Sequence, residues 1–145
     1  MNTGVVMEQL VIILALNGAL VLTVSMVAGL FLYLSILNDR DPAAWHLLHA
    51  GGAGRGVMLL ALAALIEQPA LTPETASLAA WLIIFFVWTS MLAMGTRAIS
   101  GDRGLRLEGS LPNRLVYISY GLGTLTVFPG FAILIYGLLK ALLAS

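Results

Sequence analysis

No cysteine occurs in the 145 residues. That excludes disulfides, iron–sulfur clusters, thiolate metal sites and cysteine nucleophiles. Charge is scarce as well: 10% of the residues are Asp, Glu, Lys or Arg, against roughly 25% in an average soluble domain. Seven basic and seven acidic side chains cancel. Nothing electrostatic therefore draws the chain to a polyanion, and nucleic acid is excluded as a partner. The only histidines are His46 and His49. The chain also lacks a P-loop, a Gly-x-Ser-x-Gly elbow, an HExxH zinc motif, an internal repeat and a low-complexity tail.

What is present is apolar. Sixty per cent of the residues are hydrophobic, and the mean hydropathy is +0.99. So few charges cannot cover the surface of a soluble domain, so the solvent is a lipid bilayer. An apolar run of about 20 residues crosses the hydrocarbon core. Four such runs are visible, at about 11–37, 45–66, 75–99 and 115–143. The expected fold is an all-α membrane protein, a four-helix transmembrane bundle forming one domain over 1–145. The runs are continuous rather than alternating, which argues against a β-barrel. No Lys or Arg precedes the first run, and it is too long for the core of a cleaved signal peptide.

The punctuation between runs is chemical. Asn38-Asp39-Arg40-Asp41-Pro42 ends the first, and Glu67-Gln68-Pro69 the second. Thr72-Pro73-Glu74 opens the third, with Thr72 as cap and Pro73 at the first helical position. Pro129-Gly130 is expected to kink the fourth. Arg40, Arg97, Arg103, Arg106 and Arg114 flank the two loops on one side, and only Lys140 lies on the side of the termini. The positive-inside rule then puts the loop side in the cytoplasm, and the expected location is a bacterial inner membrane.

Few residues within the runs can carry chemistry. His46 and His49 sit at the loop-side start of the second. They read as an interfacial pair, as metal ligands with Asp39 and Asp41, or with one of them as axial ligand to a haem. Gly52 and Gly56 share a helical face with His49. A strip without side chains could leave room for a macrocycle, or could pack closely against another helix. Arg55 is the anomaly. An arginine inside a span costs roughly 2.5–3.5 kcal/mol on insertion scales. It either snorkels back to the interface or faces a propionate, a substrate or a developing oxyanion. Asn17, Thr89, Ser90, Tyr117 and Tyr120 are further candidates for an internal polar site or for helix–helix hydrogen bonds.

From Trp45 to Met58 the chain reads Trp-His-Leu-Leu-His-Ala-Gly-Gly-Ala-Gly-Arg-Gly-Val-Met. This resembles the styrene oxide isomerase family, small membrane enzymes with four spans. The family pattern is Trp, three variable residues, His, a small residue, Gly, any residue, Ala, two variable residues, Gly, any residue, Met. Trp88 and the run Ile99-Ser100-Gly101-Asp102-Arg103-Gly104-Leu105 make a second, partial match. The resemblance implies a homotrimer with haem b between protomers and His49, not His46, as axial ligand to the iron. Ferric haem then acts as a Lewis acid that isomerises an epoxide to a carbonyl compound. Gly52 and Gly56 would line the cofactor, and Arg103 could reach a propionate. The family's active-site Asn and Tyr fall on Arg55 and Met94, so both catalytic positions are changed. That implies a more cationic, softer pocket for a small apolar or anionic substrate. Two alternatives stand beside this reading: a non-catalytic haem protein for ligand sensing or electron transfer, and a haem-free small transporter or packing subunit with Arg55 as its substrate site.

Overall fold

The computed structural model describes residues 3–144. Among them the chain forms four helices and no strand: α1 (Thr3–Leu37), α2 (Ala43–Leu65), α3 (Pro73–Ser100) and α4 (Leu111–Ala144). All four are long and apolar enough to span a membrane, and the protein is an integral membrane protein. α1 starts earlier than the apolar run that predicts it. Its 35 residues extend about 50 Å at ~1.5 Å each, against a core of about 30 Å. The turns around Glu8 therefore continue the helix outside the hydrocarbon, where a charge costs little. α4 likewise begins before its apolar run and continues unbroken through Pro129.

Helix starts and stops follow local chemistry. Thr72 caps α3 by accepting the Thr75 N–H, with Pro73 in the first turn. α3 ends at Gly101, whose φ of 78° is left-handed and whose N–H returns to the Arg97 carbonyl. Asp41 Oδ1 accepts the Ala43 N–H at 2.9 Å at the start of α2.

α3 is the centre. Half of its most apolar stretch is buried, against 17–28% for the other three helices. It packs against α1, α2 and α4, whereas α2 and α4 stay apart along their described lengths, their backbones nowhere within 8 Å. A cleft therefore separates α2 from α4, with α3 as its floor. Small residues bring α3 and α4 together. Gly123, Gly130 and Gly137 recur every seven residues and are all buried, the first two against α3 and Gly137 against Pro69 and Leu71 of the α2–α3 connection. A Cβ on Gly130 would lie 2.8 Å from Ile83, and one on Gly123 2.8 Å from Thr89 Oγ1. Large side chains such as Met26, Leu30, Leu125 and Phe128 face outward, as a lipid solvent requires.

Candidate functional site

His49 lies about two turns inside α2 and turns toward α1. Its Nδ1 is 2.9 Å from the Ser25 carbonyl oxygen. A carbonyl only accepts, so Nδ1 carries the proton and donates. In the neutral ring, Nε2 then keeps its lone pair. The Ser25 hydroxyl donates in return to the His49 carbonyl, at 2.5 Å. Gly29, one turn further along α1, makes space for the ring: a Cβ there would lie 2.9 Å from Nδ1 and 3.0 Å from Cε1. On the loop side of this clasp Phe31 and Trp45 stack with centroids 4.6 Å apart. Such a pair contributes about 0.5–1.5 kcal/mol beyond its area. An imidazole whose Nδ1–H is tied to a carbonyl is the usual form of a metal-ligating histidine. The donor set thus fits an axial haem ligand.

Ser25 and Gly29 carry no signal in sequence, because their role depends on how α1 meets α2. His46 is exposed. Among the described residues no three His, Asp or Glu side chains converge, so the pairing of both histidines with Asp39 and Asp41 is not assembled.

The α2 glycines correct one expectation. Gly52 and Gly56 are buried and do not open a ledge beside His49. A Cβ on Gly52 would meet Met91 Cε at 3.0 Å and Ser25 Cβ at 3.1 Å. One on Gly56 would meet Leu22 Cγ at 2.6 Å and the Gly18 carbonyl at 3.0 Å. Their face is filled by α1 and α3, so they serve close helix packing. Gly56→Leu is accordingly expected to overpack the α1–α2 seam and cost about 1–3 kcal/mol. The unfolding midpoint in detergent measures it, and an unchanged midpoint would return Gly56 to an open face.

Arg55 turns to the other side of α2. Its Nη1 donates to the Gly51 carbonyl at 2.9 Å, and its guanidinium carbon lies 5.4 Å from the centre of the Phe86 ring. A partly buried cation–π contact of this kind is worth about 1–2 kcal/mol. It offsets part of the cost of an arginine at this depth. Nε is buried and has no hydrogen-bond partner. Among the described residues no acidic side chain pairs with Arg55. Met94 of α3 is buried beside it. A Cβ on Gly51 would lie 3.0 Å from both Arg55 Nη1 and Met94 Sδ. Arg55 and Met94 come from different helices and still meet at one glycine.

Tyr120 of α4 is within electrostatic range of Arg55 and of Arg97. Arg97 is in the last turn of α3, eleven residues past Phe86 and so on the same helical face.

The remaining candidates bond to their own or a neighbouring helix or lie exposed. Asn17 Oδ1 accepts the Trp88 indole N–H at 2.7 Å, tying α1 to α3. Thr89 and Ser90 bond to carbonyls of their own helix, and Tyr117 is exposed. Arg103 is exposed in the α3–α4 loop, on an open basin of about 640 Å³ that it lines with Asp102, Arg106 and Asn113. No residue of α2 lines that basin, so the protomer does not itself bring Arg103 to His49. Asn113 organises this loop. It accepts the Gly104 N–H at 2.9 Å and donates to the Arg106 and Glu108 carbonyls. Gly104 has φ 64° and lies against Val116, where a Cβ has no room.

No curated protein matches the chain. The family model described as styrene oxide isomerase matches residues 12–139. That stretch takes in His49, Arg55 and Met94, and the cleft they flank, and leaves out only short ends. The chain belongs to the styrene oxide isomerase family.

Proposed function

We propose that this protein is a haem b-dependent isomerase of small epoxides or closely related apolar substrates, with His49 as axial ligand. The observation that carries the reading is the His49 clasp. The Ser25 carbonyl fixes the proton on Nδ1, Gly29 admits the ring, and Nε2 is left as the ligating nitrogen. When bound, ferric haem supplies Lewis acidity toward an epoxide oxygen, the chemistry that turns an epoxide into its carbonyl isomer.

The chain's own residues divide the remaining work. His49 holds the cofactor from α2. Arg55, with Met94 beside it, lies some 120° around α2 from His49, since six residues separate 49 from 55. The two therefore suit the cofactor of a neighbouring protomer better than that of their own. We read this as a homotrimer with haem between protomers, in a bacterial inner membrane with the loops in the cytoplasm. In such an assembly Arg103 reaches a propionate across the contact, and lipid covers the outer faces.

Purified protein is expected to show a Soret band, to run as a trimer in mild detergent and to lose haem as the trimer dissociates. Native mass spectrometry with absorption spectroscopy measures all three. A haem-loaded monomer sinks the interfacial arrangement, and protein without a Soret band after haem supplementation sinks the cofactor. Arg55 and Met94 also favour a second reading, a haem protein that binds ligands without turnover. Epoxide turnover per haem separates the two.

A further inference from the structure

The cleft between α2 and α4 holds a cation that the protomer does not neutralise. Arg55 spends Nη1 on the Gly51 carbonyl and one face on Phe86. Nε–H is buried without an acceptor, and Nη2 makes no hydrogen bond among the described residues. Nε–H and Nη2–H form the side-on fork of a guanidinium, the edge that takes a carboxylate with two parallel hydrogen bonds. The protomer thus uses the arm that a carboxylate does not need and leaves without an acceptor the pair that it does.

The surroundings narrow the ligand further. Phe86 makes the wall apolar, with Met94 buried behind it beside Gly51. α2 and α4 do not close onto each other across this space. Arg97 lies eleven residues beyond Phe86 on α3 and so on the same helical face, toward the loop side. A small inorganic anion would leave the apolar wall unused, and a neutral molecule would leave the fork unpaired.

We infer that this cleft binds an organic carboxylate, held side-on by the Arg55 guanidinium with its apolar body against Phe86. Two sources share that chemistry: a free amphiphilic acid, and the propionate of a haem held by a neighbouring protomer. As a substrate site the cleft rests on the isomerase reading above. Carboxylate binding itself does not, and it is measured without turnover.

The experiment uses the full chain in lipid nanodiscs, with phenylacetate as probe and 2-phenylacetamide as its neutral match. Calorimetry compares the unaltered protein with Arg55→Asn, Arg55→Lys and, as a distant control, Lys140→Gln. A parallel arm compares retention of haem and of haem dimethyl ester, which lacks the charged propionates. If the acid is free, phenylacetate binds at least tenfold more weakly to Arg55→Asn. Arg55→Lys recovers part of the loss, Lys140→Gln has none, and haem content is unchanged. If the source is a propionate, phenylacetate is indifferent to Arg55. Arg55→Asn then loses haem several-fold faster, and the unaltered protein holds the dimethyl ester as poorly. Both results support a carboxylate at Arg55. Equal phenylacetate affinity, or none, in all variants together with equal retention of haem and its ester overturns the inference. Circular dichroism and size exclusion confirm that each variant is folded. Absence of a Soret band or of epoxide turnover would count against the isomerase reading and leave the phenylacetate comparison decisive.

Discussion

His49→Ala is expected to abolish the Soret band of the purified protein, whereas His46→Ala keeps most of it. The two rings are three residues apart on one helix and differ in what holds them. His46 is exposed. His49 donates Nδ1–H to the Ser25 carbonyl and sits over Gly29, which fixes the direction of Nε2. Ligand affinity depends on that support, because outer-shell partners of a metal ligand are typically worth 10–100-fold. Ser25→Ala should be mild, since the bond to Nδ1 comes from the backbone and only the return bond of the hydroxyl is lost. Gly29→Val should be severe although it leaves the ligand in place, because the added carbons occupy the space of the ring. Added imidazole should restore a Soret band to His49→Ala and not to Gly29→Val, where the cavity is filled. Full haem content in His49→Ala would remove this ligand assignment.

The sequence displays the fold readily because the bilayer imposes one requirement, that every span be helical and apolar. Composition and run length suffice for that. Helix ends are legible where a residue acts locally, as at Thr72 and Pro73. They are less so at Thr3 and Leu111, where the helix continues into the interface past the point at which hydropathy falls. Packing is harder to read. Gly52 and Gly56 show on a helical wheel that one face lacks side chains. What fills that face is decided by Leu22, Ser25 and Met91, which are distant in sequence. The same holds for Gly123, Gly130 and Gly137, whose spacing is plain but whose neighbours, Phe86, Ile83 and Leu71, are not. At the site, His49 and Arg55 stand out because an ionisable side chain within a span is costly. Ser25, Gly29 and Gly51 act through a backbone carbonyl or a missing Cβ, and neither leaves a mark on residue type. The cleft itself follows from the separation of α2 from α4, a property of the assembled helices alone.

Arg55→Asn combined with Met94→Tyr is expected to raise isomerisation of an uncharged epoxide well above that of the unaltered protein. Ring opening places positive charge on carbon. If that carbon lay about 5 Å from the Arg55 guanidinium, the repulsion would be about 3 kcal/mol at an effective dielectric of ~20, which corresponds to more than a hundredfold in rate. Arg55→Asn removes the repulsion and leaves a neutral amide that can donate to a developing oxyanion. Met94→Tyr adds a hydroxyl at the second changed position. The two substitutions are coupled by volume. Arg55 Nη1 and Met94 Sδ both crowd the space over Gly51, and Met94 is 1% exposed. A tyrosine there alone is overpacked against Arg55, at about 1–3 kcal/mol. Shortening Arg55 to Asn vacates the side on which the larger ring must fit. The double variant should therefore exceed the product of the single effects, with Met94→Tyr alone neutral or harmful and Arg55→Asn alone about tenfold or more improved. The measurement is aldehyde formed from styrene oxide per bound haem, by gas chromatography, with all four proteins matched for haem content. The unaltered protein is expected to be slow or inactive on this substrate. Fast turnover by the unaltered protein, with no gain in Arg55→Asn, would show that the guanidinium does not face the reacting carbon, while leaving the role of His49 in place.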